Sequence, residues 1–125
     1  MVYVGLDLHK RYITGCALSD EGRVLAQVNR LSPTWDALAA WLHGLGPELT
    51  VVLEATLYCW WLERQLTGAG YRALVVDAYQ VKLIWQTRTK TDPIDAQKLA
   101  ELARVRLLPV LWVPDPRTRT LRQAL

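Results

Sequence analysis

The segment Lys90 to Ala100, KTDPIDAQKLA, sets two aspartates three residues apart at the mouth of an apolar stretch that reads as a helix. Asp92 before Pro93 suits an N-cap followed by a first-turn proline, and Asp95 suits the positive end of the helix dipole. Residues i and i+3 also share a helix face, so both carboxylates can point at one spot beyond it. Two further acids close apolar strands: Asp7 in VYVGLDL and Glu54 in TVVLEA. A carboxylate at the end of a central strand is costly to desolvate unless it is paired, hydrogen-bonded or metal-bound. Each acid alone could equally cap a turn. Four together would repel one another and raise one another's proton affinity, a cost that divalent cations relieve. Oxygen-only ligands favour Mg2+ or Mn2+, and two such ions about 4 Å apart suit the attack on, and departure from, a phosphodiester.

Whether the acids meet depends on the elements that carry them. Val2 to Leu8, Tyr12 to Leu18 and Arg23 to Asn29 read as strands with short connections, hence an antiparallel meander. Ser32 and Pro33 open an amphipathic helix carrying Trp35, Leu38, Leu42 and Leu45 on one face. Thr50 to Ala55 and Tyr71 to Val76 read as buried strands separated by a helix, Leu57 to Leu66, with Trp35 and Trp61 expected on core faces. Asp77 to Thr91 has no clear form. Helical crossovers imply parallel pairing of the later strands. The order β-β-β-α-β-α-β-α predicts an α/β, RNase H-like fold with a mixed five-stranded sheet, the first strand beside the fourth and Asp7 beside Glu54. Asp7 would then lie between two ions, with Glu54 on one side and Asp92 and Asp95 on the other.

The 125 residues fit one domain with a core large enough to stand without disulfides, and Cys16 and Cys59 read as buried, reduced thiols. No leader or membrane-length apolar run is evident, so a cytoplasmic protein is expected, without membrane contact. The formal charge is +3 but unevenly placed. Residues 1–81 hold six Lys/Arg against eight Asp/Glu and residues 82–125 nine against four, giving −2 and +5. A basic half around an acidic pair suits chemistry on a polyanion. Lys10, Lys82, Arg88 and Lys90, with His9, are the side chains placed to contact nucleic acid.

VGLDLHK, LEAT and KTDPIDAQKLAEL, in that order and spacing, resemble the N-terminal catalytic domain of DEDD transposases of the IS-one-ten insertion-sequence family, relatives of the Piv DNA invertases. The resemblance spans nearly the whole chain. It implies a RuvC-like domain (residues 1–106) whose tetrad is Asp7, Glu54, Asp92 and Asp95. It further implies DNA as substrate, a structured bridge RNA as guide, homo-oligomers of the full-length protein and a C-terminal domain bearing a serine nucleophile. Nothing here matches that second domain; residues 107–125, with three prolines and RTRTLRQAL, read as a connector leading to it. The chain alone is therefore not expected to recombine DNA. A RuvC-type junction nuclease, a sugar-kinase or actin-like ATPase fragment and a non-catalytic nucleic-acid-binding module are the alternatives. The ATPase reading lacks the Gly, Ser or Thr wanted directly after Asp7, where the chain has Leu8 and His9.

Overall fold

A computed structural model describes residues 1–56, 58–86, 95–108 and 110–112. The elements are β1 (Val2–Leu8), β2 (Ile13–Leu18), β3 (Val24–Leu31), α1 (Trp35–His43), β4 (Leu49–Glu54), α2 (Cys59–Gly68), β5 (Arg72–Val76), α3 (Ala78–Gln86), α4 (Ala96–Arg104) and β6 (Val110–Trp112). They form one mixed sheet in the order β3-β2-β1-β4-β5-β6. β1 pairs antiparallel with β2 and parallel with β4, so the first strand does lie beside the fourth. The expected five strands are all present in an RNase H-like arrangement. β6 is a sixth, antiparallel to β5, within the stretch expected to be a connector. Three residues at a sheet edge tolerate nearby prolines because an edge strand needs only one set of backbone partners.

Alternation along the strands divides the core between the two faces of the sheet. Val4, Leu6, Val51, Leu53, Ala73 and Val75 face Leu38 and Leu42 of α1 and Cys59, Leu62 and Leu66 of α2. On the opposite face Val52 and Val76 meet Val81 of α3 and Leu99 and Leu102 of α4, while Cys16 and Leu18 meet Ala96 and Ala100. The result is three layers, helix on sheet on helix.

Three local assignments differ from the sequence reading. The cap of α1 is Thr34, whose hydroxyl accepts from the Ala37 amide at 3.3 Å, so Ser32 and Pro33 precede the helix. In α2 the inward stripe is Cys59, Leu62, Glu63 and Leu66, which turns Trp61 outward to 44% exposure. Trp61 is therefore not a core residue, although Trp35 does pack against the core. A glutamate inside the buried stripe is what hides the true phase: Glu63 is wholly buried and accepts from the Thr67 hydroxyl at 2.8 Å. The third is α3, which follows Asp77; its Oδ1 accepts from the Gln80 amide at 3.1 Å.

The placement of α4 is set by Gly5. A β-carbon there would run into the backbone carbonyl of Ala96 and lie 2.9 Å from the Ala100 nitrogen. The helix thus rests on bare strand backbone. Its far end is held by Arg104, which pairs with Glu101 and donates to the Asp20 carbonyl at 3.3 Å in the β2–β3 turn. Gly5→Ala should cost about 3 kcal/mol or more, because neither obstructing atom belongs to a flexible side chain. Gly68→Ala, in the last turn of α2 with nothing within 4 Å of its β-carbon, should stabilise by about 0.5–1 kcal/mol. Urea denaturation of the two variants beside the wild type measures both.

Candidate metal-binding and catalytic site

Asp7 belongs to the face of β1 that carries Tyr3 and Gly5, and Glu54 to the face of β4 that carries Val52. Both faces look toward α4. Leu6 is in register with Leu53, which sets Asp7 and Glu54 next along two parallel neighbours. Burial raises the proton affinity of Glu54, and the charge of Asp7 raises it further. The two carboxylates therefore feel each other, as expected from the sequence.

Asp95 arrives from the helix side. It is the N-cap of α4, with extended backbone (φ −121°, ψ −179°), and its Oδ1 accepts from the Lys98 amide at 2.9 Å. The described helix therefore starts at Ala96, and the cap is Asp95 rather than Asp92. The helix face expected to be shared by Asp92 and Asp95 falls in part on Asp92, which lies outside the described residues. Tertiary contact brings Asp95 to the sheet: the next residue's carbonyl lies over Gly5, and Cys16, cross-strand from Gly5, registers the Asp95 charge. Burial is the larger cause of the raised Cys16 thiol, and a Gln27 hydrogen bond opposes it. Gly5 and Asp7 are two residues apart on one face of β1, roughly 7 Å. Thus Asp7 and Glu54 stand side by side at their strand ends, and Asp95 caps the helix that packs on the same side of the sheet.

Among the described residues no three His, Cys, Asp or Glu side chains are grouped closely enough to hold a metal ion. Asp92, Arg88 and Lys90 lie outside the described residues. The described acids nevertheless fit a hard cation in kind, since they offer carboxylate oxygens, and Glu54 carries the unfavourable charge interaction that a cation would relieve. Cys16 and Cys59 are buried and free, as expected of structural thiols.

A contact not anticipated in the sequence joins Asp7 to the turn after β1. His9 Nε2 lies 3.1 Å from Asp7 Oδ2, with both side chains about one-third exposed (36% and 31%). The His9 ring stacks on Tyr12 at 4.3 Å between centroids, and the Arg30 guanidinium lies 5.0 Å above Tyr12. Arg30 reaches that position from a left-handed backbone conformation (φ 59°). The D-x-H spacing on a strand end is its one sequence signal, because i and i+2 lie on the same side. Lys10 is exposed in the same turn, and Lys82 is exposed on α3.

An RNase H-like sheet with carboxylates at the ends of its first and fourth strands defines a class of enzyme domains built for polynucleotide chemistry. The family profile of DEDD transposases of the IS110 (IS-one-ten) type, described as a transposase, matches residues 4–125, and the chain belongs to that family. Membership makes this a DNA transposase domain, with DNA as partner, DNA cleavage as the family's chemistry and divalent metal in its use. No curated protein matches the chain. No described helix is long and apolar enough to cross a membrane.

The raised proton affinity of Glu54 has a signed consequence for metal-free protein. A carboxyl that holds its proton more tightly folded than unfolded makes the folded state bind more protons between the two pKa values, so stability falls as pH rises through that window. Glu54→Gln cannot lose a proton. The variant should match the wild type at pH values below the ordinary glutamate range, gain on it as pH climbs through the raised Glu54 value, and keep a constant lead above. Melting temperatures with chelator present, compared between the two proteins across pH, check this.

Proposed function

We propose that Asp7, Glu54, Asp92 and Asp95 form a DEDD site that binds Mg2+ or Mn2+ and cleaves DNA strands during transposition. The single observation carrying this reading is the Asp7–Glu54 interaction at the end of a parallel strand pair, with the Asp95 cap delivered to the same side of the sheet by α4. When bound, two divalent cations supply acidification of the attacking oxygen and neutralisation of the leaving oxygen of the phosphodiester.

The residues have distinct tasks. Asp7, on the central strand, and Glu54, beside it on β4, would hold the cations together with the helix aspartates. His9 steadies the Asp7 carboxylate through Oδ2, so that its orientation is defined before DNA arrives. Asp95 spends Oδ1 on the Lys98 amide, which fixes the carboxylate that would serve as a further cation ligand. Lys10, Lys82, Arg88 and Lys90 hold DNA phosphates by charge and position the strand without reading its sequence.

In this reading residues 1–106, with β6 completing their sheet, are the catalytic domain, a C-terminal domain carrying a serine nucleophile acts with it, and a structured RNA guides a homo-oligomeric assembly to its target. The family match favours this over the ATPase reading, whose phosphate hairpin the His9 and Lys10 turn does not supply.

Mg2+ or Mn2+ at about 100 times the dissociation constant should raise the melting temperature by roughly 5–10 °C, because the ions bind the folded state only. Asp7→Asn should remove most of that rise while leaving a folded, metal-free protein. Equal rises in wild type and variant would mean that these acids are structural, and that the domain is a non-catalytic binding module.

A further inference from the structure

On the side of the sheet away from α4, the end of β1 opens into a cavity of about 360 Å³. Its walls are largely aromatic and aliphatic, Trp35, Leu38, Tyr58 and Trp61 among them, and His9 and Lys10 are the basic groups that line it. No acid is among its described lining residues. Tyr58 is 72% exposed and Trp61 44% exposed, which is far more aromatic surface than the core of this domain requires. Trp60, the neighbour of Trp61, is also partly exposed.

The chemistry of this cavity selects a flat, apolar body attached to an anion. Tyr58 and Trp61 offer rings on which such a body can stack, and Lys10 offers a charge at the rim. A nucleobase with its phosphate has that form, and stacking of bases on aromatic side chains is sequence-tolerant. A base inside a duplex cannot enter, since both its faces are already stacked on neighbours. The cavity therefore fits an unpaired nucleotide.

Its position supplies the second argument. His9 lines the cavity and also touches Asp7 at 3.1 Å, so one side chain borders both the cavity and the carboxylates. A strand whose phosphate lies at Asp7 and Glu54 has its neighbouring nucleotide within reach of Lys10, across the end of a single β-strand. We infer that the Tyr58–Trp61 cavity holds an unpaired nucleotide of the DNA strand adjacent to the cleaved phosphate. Strand separation at the target would then be a requirement for productive binding, in addition to phosphate attraction. This inference rests on the DNA-cleaving reading of the carboxylate site.

The test uses the 125-residue chain with three probes of equal length: a blunt DNA duplex, the same duplex with a three-nucleotide DNA overhang containing 2-aminopurine, and its counterpart with an RNA overhang. Wild-type protein should bind the DNA-overhang probe about tenfold more tightly than the blunt one and quench the 2-aminopurine, as stacking on an aromatic ring predicts. Trp61→Ala and, separately, Tyr58→Ala should bring overhang and blunt affinities together, with blunt-duplex binding unchanged. Both side chains are exposed enough that either variant should fold, and circular dichroism checks this. Lys10→Gln should weaken the overhang probe while leaving residual quenching.

Several results would overturn the inference: equal affinity of wild type for blunt and overhang probes, an overhang preference that survives both aromatic substitutions, or tighter binding of the RNA overhang. Concentration-dependent dimers abolished by Trp61→Ala would overturn it as well, by assigning the cavity to a second copy of the chain. Failure here is separable from failure of the carboxylate site. A metal-induced rise in melting temperature that Asp7→Asn removes, together with no overhang preference, would reject the cavity alone.

Discussion

Helix α4 can reach the sheet only where the sheet has no side chain in the way, and Gly5 is that place. The Ala96 carbonyl occupies the space that any β-carbon would need. This contact fixes the height of the helix above β1, the direction from which Asp95 approaches and the lateral position of Leu99 and Leu102 over Val52 and Val76. Small residues on both partners make it possible: Ala96, Ala100 and Ala103 line the helix where a larger side chain would hold it away. The acids carried by β1, β4 and α4 are thus placed by backbone packing, with no direct bond between them required.

That same constraint explains where sequence reasoning succeeded and where it failed. The strands were legible because alternation is a local property, and the β1–β4 adjacency followed from the order of elements, a meander followed by helical crossovers. Asp7 and Glu54 were recognisable as a pair on those grounds. The start of α4 was not. Asp92 before Pro93 and Asp95 before Ala96 are both good local caps, and the choice between them is made by the fit of Ala96 over Gly5, a contact across the whole chain. Trp61 was misplaced for a related reason, since the buried Glu63 breaks the apolar stripe that would have fixed the phase of α2.

β6 and α3 show a different limit. A three-residue edge strand carries too little pattern to stand out between prolines, and its existence depends on the open edge of β5. In α3, Asp77 as cap and Val81 on the buried side are adequate signals, but the exposed Tyr79 and Leu83 blur the amphipathic contrast. The Asp7–His9 contact was closer to legible: two polar residues at i and i+2 where a strand ends lie on one side, and the aromatic stack of Tyr12 beneath His9 holds the ring in place.

The parallel pairing of β1 with β4, and the seat of α4 on β1, also set an order of events during synthesis. Gly5 emerges from the ribosome early, while the helix that must sit on it follows roughly ninety residues later, a delay on the order of 5–20 s at ordinary elongation rates. The antiparallel meander can form at once, but β1 has one edge waiting for β4 and one face waiting for α4. During that interval Asp7 stands apart from Glu54 and Asp95, so a nascent chain carries isolated carboxylates whose mutual repulsion is not yet felt. The long sequence separation that slows assembly also means that the like charges of Asp7 and Glu54 are brought together only after most of the domain has been made.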